Sequence, residues 1–202
     1  MFFYLDVDYR KKILNDELLD KHLNQIENTT AYLSKTINDF TDFFSKNKKS
    51  ESFYMRDIIK QTEDLTVISS HKNVKITYRE KEDIIVIGYS SELIQSLLIL
   101  LNNAIYACQK NLEHIDQGKI MIHAYQEKDN VFISVEDNGG GIDKKNLKKI
   151  FDPYFTTKDK ENGTGLGLYI LKLIVEDSMY GKIFVKNGKD GAIFTIQIPS
   201  KN

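Results

Sequence analysis

Two glycine-rich runs stand at opposite ends of regular elements, and their placement constrains the fold more than any other feature. Asp137-Asn138-Gly139-Gly140-Gly141-Ile142 comes directly after a strand pattern. Asn162-Gly163-Thr164-Gly165-Leu166-Gly167-Leu168 runs directly into a helical pattern at Tyr169-Ile170-Leu171-Lys172. In the first run, glycines let backbone approach a flat ligand closely and take positive φ where needed. Asp137, at the strand end, is a fixed acceptor for an exocyclic amine. A plain glycine hairpin turn is the simpler alternative, but the strand Asn130 to Glu136 has no room to pair immediately across it. In the second run, free N–H groups at a helix start converge on one spot, and the helix dipole favours negative charge there. That is a phosphate cradle of neither common type. It has no Gly-x-x-x-x-Gly-Lys-Ser/Thr, and Leu168 breaks a dinucleotide fingerprint that also lacks a leading strand.

A third segment, Leu97-Leu98-Ile99-Leu100-Leu101-Asn102-Asn103-Ala104-Ile105-Tyr106-Ala107, puts two amides at the end of an apolar helix. A buried amide must find partners or cost a few kcal/mol. Small Ala104 and Ala107 leave room beside Asn103, whose carbonyl is a hard neutral oxygen suited to Mg²⁺. Taken alone, this segment is better explained by a helix C-cap or an internal hydrogen bond.

Around these segments the pattern is mixed. Helices are expected over Phe53 to Ser69, Glu92 to Cys108, Asp143 to Ile150 and Gly165 to about Asp177. Strands are expected at Val74 to Arg79, Ile84 to Ile87, Lys119 to Gln126, Asn130 to Glu136, Lys182 to Lys186 and Ala192 to Ile198. Strands in adjacent pairs with helices between them make an α+β domain, helices on one face of an antiparallel-rich sheet.

The N-terminal part is different. Leu19, Leu23, Ile26, Thr30, Leu33, Ile37, Phe40 and Phe44 alternate at spacings of four and three, an a/d seam on a long helix; an amphipathic helix packed on its own domain is the alternative, but the narrow, sustained stripe favours a partner helix. Polar Ser45 to Ser52 reads as a linker, so the expected division is a helical segment 1–47 and a domain 53–202.

Composition sets the outer limits. With 28 basic and 29 acidic residues the net charge is -1, so no global field draws the chain to nucleic acid or an anionic membrane. The single cysteine, Cys108, rules out a disulfide framework and a multi-thiolate metal site and suits a reducing compartment. It reads as a small buried hydrophobe. The longest apolar run, Leu97 to Leu101, is too short to span a bilayer, and the N-terminus lacks the basic flank of a signal peptide. A cytoplasmic location is expected, with no membrane contact by this segment; a membrane-anchored parent is compatible with it.

In order and spacing the segments resemble the N, G1, F and G2 boxes of histidine-kinase ATPase domains. The matching residues are Asn103, Asp137-x-Gly139-x-Gly141, Phe151-Asp152-Pro153-Tyr154-Phe155-Thr156-Thr157-Lys158, and Gly163-Thr164-Gly165-Leu166-Gly167-Leu168. The resemblance, over about residues 53 to 199, implies the Bergerat fold, a two-layer α/β sandwich that binds Mg-ATP. It implies Asn103 as the Mg²⁺ ligand and Asp137 as acceptor for the adenine amine. Gly139, Gly141 and Ile142 would shape the adenine wall. Thr164, Gly165, Leu166, Gly167 and Leu168 would surround the phosphates, with Lys158 reaching them from a lid over Asp152 to Thr164. Thr195 would make a water-mediated adenine contact. The heptad helix looks like part of the dimerisation and phosphoacceptor bundle, implying a homodimer in the full-length parent and a response regulator as partner.

The chain departs from that pattern in three places. Its histidines, His22, His71, His114 and His123, lack a proline close behind, so no phosphoacceptor is recognisable and the chain reads as starting late in the first bundle helix. Tyr106 stands where sensor kinases often have a basic residue. Ile99 stands where kinases often carry a second asparagine; it also stands where other ATPases of the fold carry a water-activating glutamate, which disfavours hydrolysis and favours transfer to a protein acceptor. The expected function is therefore the ATP-binding catalytic module of a sensor kinase. The alternatives are a kinase of the anti-sigma type acting on a separate protein, and a dimerisation module without catalysis.

Overall fold

The computed structural model describes residues 19, 20, 23, 50–66, 73–111, 113, 117–158 and 163–201. The chain divides into two compact units, Met1–Lys46 and Asn47–Asn202. In the first, Leu19, Asp20 and Leu23 are helical, with both leucines exposed. The rest of the heptad seam, His22, His71, His114, Asn162 and most of the linker lie outside the described residues.

In the second unit, β1 (Glu51–Tyr54) leads straight into α1 (Met55–Leu65), followed by β2 (Val74–Glu80) and β3 (Ile85–Gly88). The long α2 (Ser90–Lys110) precedes the hairpin β4 (Gly118–Glu127) and β5 (Asn130–Asp137). Then α3 (Gly167–Leu173) runs into a π-helical turn over Ile174–Ser178, before β6 (Lys182–Asn187) and β7 (Ala192–Pro199). β1 and β3 pair antiparallel as a small sheet, and the main sheet has the order β2-β4-β5-β7-β6. Only β2 and β4 are parallel, because α2 lies between them as a crossover; the other main-sheet pairs are antiparallel.

Period-two alternation builds the core. Val131, Ile133 and Val135 of β5 and Phe194, Ile196 and Ile198 of β7 face one side, with Ile120, Ile122 and Ala124 of β4. α2 seals that side with Leu93, Leu97, Leu100, Leu101, Ala104 and Cys108, all buried. Truncating one of these leucines to alanine costs about 2–5 kcal/mol. Among the described residues, α2 alone has the length and apolar composition to cross a bilayer, and half of that stretch is buried inside the domain, as in a core helix. The other sheet face carries half-buried His123, Tyr125 and Phe132, the Tyr125 and Phe132 rings stacked 5.1 Å apart.

Three expected elements are corrected. The helix expected from Phe53 begins at Met55, because Glu51 to Tyr54 pair with Gly88 to Ile85; four residues are too few to show a strand period. Asp143 to Ile150 forms successive turns instead of a helix. The Asp143 carboxylate does accept the Lys145 N–H at 3.1 Å, but Leu147 and Ile150 are the only apolar residues of 143–150, too few for a packing stripe. The helix expected from Gly165 starts at Gly167, since Gly165 has φ +68, outside the helical region.

Candidate nucleotide-binding site

The candidate residues converge on one stripe of α2. Ile99, Asn103, Tyr106 and Ala107 are spaced four, three and one, so they share a face. From Ile99 to Ala107 the helix rises about 12 Å. Three loops meet that stripe in turn.

Nearest the helix C-terminus is the loop after β5. A Cβ on Gly139 would lie 2.6 Å from both the carbonyl carbon and the Cβ of Ala107, so no other residue fits without moving backbone. Asp137 is buried, and its Oδ1 accepts the Gly139 N–H at 2.8 Å and the Ala192 N–H at 3.3 Å. Among the described residues none donates to Oδ2. Burial pushes the Asp137 carboxyl above its ordinary range, against the pull of those two N–H donors. Asn138 turns the other way and joins the end of α2 to the start of β4: its Oδ1 accepts from Cys108 Sγ at 3.3 Å and from the Lys119 N–H at 2.7 Å, and its Nδ2 donates to Gln117 O at 3.0 Å.

The same loop is braced from the β6–β7 turn. Asn187 Oδ1 accepts the Ile142 N–H at 2.9 Å, and its Nδ2 donates to Ile142 O at 2.7 Å. The Gly140 N–H, at φ +89, donates to Asp190 O at 3.0 Å. Gly191 lies flat against the Asp137 backbone, where any Cβ would overlap it. Asn187, Asp190 and Gly191 are site residues that sequence reading passes over. Asn187-Gly188 and Asp190-Gly191 read there as hairpin punctuation, and nothing local says that the hairpin reaches back 45 residues to Ile142.

The middle of the stripe holds a cation. Lys158 Nζ donates to Asn103 Oδ1 at 2.9 Å and lies 4.3 Å from the centre of the Tyr106 ring. Burial lowers the Lys158 pKa from its ordinary value. Upstream, Phe151 meets Phe194 edge to face at 6.4 Å and Ile150 is buried, so the segment is anchored at this end. Tyr154 is exposed, at φ +65.

The second glycine run closes the stripe's N-terminal end. Gly163 packs on Thr156 and on Lys158, whose Cβ would be 2.8 Å from an added Cβ. Gly165 crosses the Tyr154–Phe155 peptide too closely for any side chain. Thr164 Oγ1 accepts the Leu166 N–H at 3.1 Å, and Gly167 faces the Ile99 methyl, 3.6 Å from an added Cβ. Leu168 is in the first turn of α3.

Thr195 does not join them. It pairs with Ser134 and Phe184, on the sheet face opposite to Phe194, whereas Asp137 shares the helix-covered face with Val135. The β7 residue beside Asp137 is Ala192. Expecting Thr195 there put the contact three residues too far along the strand, an odd number, which reverses the face.

A buried carboxylate with one free oxygen, a glycine wall, an amide oxygen already facing a cation and a glycine run entering a helix define an ATPase domain of the Bergerat type. The chain belongs to the family described as histidine kinase-, DNA gyrase B-, and HSP90-like ATPase, whose model matches residues 88–202. It is similar to sporulation kinase B of Bacillus subtilis, 28% identical over 96% of this chain and 41% of the relative. It is also similar to the sensor protein KdpD of Clostridium acetobutylicum, 33% identical over 93% of this chain and 22% of that protein. The chain thus spans less than half the length of these relatives. Among solved structures, the catalytic domain of the histidine kinase ThkA superposes with a TM-score of 0.67 at 32% identity, covering 76% of this chain and 97% of that one. ThkA in complex with the response regulator TrrA gives 0.74 at 30% identity, covering 96% of this chain and 55% of that one.

Proposed function

We propose that the chain binds Mg-ATP along the α2 stripe and donates the γ-phosphoryl group to a histidine on a bundle helix, as the catalytic module of a two-component sensor kinase. The observation that carries this is the single line of Ile99, Asn103, Tyr106 and Ala107, met in turn by the second glycine run, Lys158 and the Asp137 loop. Asp137 Oδ2 accepts the adenine amine, and Gly139 and Gly141 give the base a wall without side chains. N–H groups of the Gly165–Leu168 turn, at the start of α3, receive phosphate oxygens. Asn103 Oδ1 fits a hard cation, since an ammonium already donates to it. Bound there, Mg²⁺ would neutralise phosphate charge.

Ile99 supports transfer over hydrolysis. Its methyl faces Gly167 and has no group to take a proton from water. Because phosphoryl transfer depends mainly on positioning and charge neutralisation, the protein need only hold the donor and exclude water. By analogy with ThkA, which forms a complex with its response regulator, the partner downstream is a response regulator, and the parent protein is a homodimer through the heptad helix.

The test has two stages. Calorimetric titration with ATP, with and without Mg²⁺, should show binding that Asp137→Ala weakens. Incubation with γ-labelled ATP and a separately supplied histidine-bearing bundle helix should then give acid-labile label on that helix and none on this chain. Unchanged affinity in Asp137→Ala would sink the pocket assignment. Binding without any transfer would favour the non-catalytic dimerisation module.

A further inference from the structure

Tyr106 is the place where this chain lacks a cation that a phosphate site would use, yet a cation is present a few ångströms away. Lys158 comes from a different segment, 52 residues later in the chain, and its ammonium lies over the Tyr106 ring at 4.3 Å while donating to Asn103 Oδ1 at 2.9 Å. Three things hold it. The ring face attracts the ammonium electrostatically. The amide oxygen accepts a hydrogen bond from one of its three N–H groups. Gly163 packs against the lysine stem, where a larger residue would displace it. No carboxylate is within ion-pairing distance of Lys158 among the described residues, so its charge stays uncompensated in a partly buried site. Such a charge attracts an anion.

We propose that Lys158, seated on Tyr106, is a built-in counter-cation at the metal position that keeps nucleotide phosphates bound when Mg²⁺ is absent. This rests on the nucleotide reading given above and adds to it a metal-independent mode of binding. With the divalent ion absent, the ammonium stays beside Asn103 and supplies the positive charge the phosphates require. With the ion present, Asn103 Oδ1 would serve as its ligand and the metal would supply the charge the phosphates require, so less of the binding would depend on the ammonium. Tyr106 is the positioning residue, acting through Lys158.

The experiment compares ADP affinity in excess EDTA and in excess Mg²⁺, by calorimetry, for wild type and four variants. Lys158→Met and Lys158→Gln keep the stem and remove the charge; Tyr106→Phe keeps the ring face; Tyr106→Leu removes it. Thermal melting confirms that each is folded. In wild type, chelation should weaken ADP only modestly. In both Lys158 variants the loss on chelation should be about tenfold greater, the worth of a hydrogen bond to a charged group. Tyr106→Phe should behave as wild type, and Tyr106→Leu should lie between. An equal loss on chelation in wild type and Lys158→Met would overturn the inference. So would tighter binding by Lys158→Met in EDTA, which would make the ammonium only a plug. A wild type that binds ADP in neither buffer overturns the nucleotide reading itself, and this inference with it.

Discussion

The two ends of the candidate site are built from different materials. At the base end, Asp137, Gly139, Gly140 and Ile142 are fixed by contacts that each have a backbone partner: N–H groups to the Asp137 carboxylate, Gly139 pressed on Ala107, and the Asn187 amide holding both polar groups of Ile142. At the phosphate end, Asn103 is held by one lysine side chain, and the glycine run touches Thr156 and Lys158 through loop contacts. A base always presents the same flat shape, so a rigid slot suits it. On the proposed reading, phosphates and metal would meet the other end, where side chains and loop glycines make the contacts.

Breaking the rigid end should have the largest effect. Gly139→Val places branched carbon where even a Cβ has 2.6 Å to the Ala107 backbone. Overpacking of this kind costs about 1–3 kcal/mol, which for a domain this size lowers the melting temperature by roughly 2–12 °C. Nucleotide binding should disappear within the folded population. A variant that melts and binds like wild type would mean that the loop is not clamped to α2.

Asp137→Asn separates stability from binding. Burial raises the Asp137 pKa in the folded protein, so the folded state favours the protonated form more than the unfolded chain does. The sign follows: the contribution to stability is present below the unfolded pKa and is lost as pH rises through the folded one, leaving the ionised carboxylate a burden at neutral pH. Neutral asparagine keeps an oxygen for the Gly139 and Ala192 N–H groups and removes that burden. The melting temperature at pH 7 should therefore hold or rise, while ATP affinity falls about 10- to 100-fold because an amide donor now faces the adenine amine. A lower melting temperature together with unchanged affinity would reverse the assignment.

How much of this was legible depended on distance along the chain. Asp137 with its glycines, and the glycines before α3, were visible because each carries its reason within a few residues. Asn103 was visible only through its order among the others. Asn187 was invisible as a site residue, since its partner Ile142 lies across the sheet and the turn chemistry of Asn187-Gly188 explained it without remainder. Tyr106 read as a missing cation, because a ring gives no hint of a lysine arriving from 52 residues away. Beyond the site, α2 and the β4–β5 hairpin were plain from their periods, whereas four-residue β1 had too few residues to show one.

Asn187→Ala tests whether the long-range brace matters to binding. Two hydrogen bonds to Ile142 are lost, about 1–2 kcal/mol in all. Amides of residues 139–142 should exchange with solvent faster, and ATP affinity should drop several-fold, less than for Asp137→Asn since the acceptor itself remains. Unaltered exchange in that loop would show that α2 and Asp190 suffice to hold it.

The smallest expected effect is the sharpest test of the sheet face on which the base end is built. Thr195 pairs with Ser134, and Ser134 pairs with His123, so all three project from the face opposite α2. Asp137 projects from the other face, next to Ala192. A sheet separates the two side chains, and no hydroxyl contact crosses it. Thr195→Val preserves shape and β-branching while deleting only the hydroxyl, so ATP affinity should stay within about twofold of wild type, well under the cost of one lost hydrogen bond. Ala192→Ser puts a hydroxyl on the Asp137 side at nearly the same volume, and it should shift ATP affinity measurably in either direction. If instead Thr195→Val weakened ATP binding tenfold while Ala192→Ser did nothing, β7 would be one residue out of register, and the base end would belong to the face opposite α2.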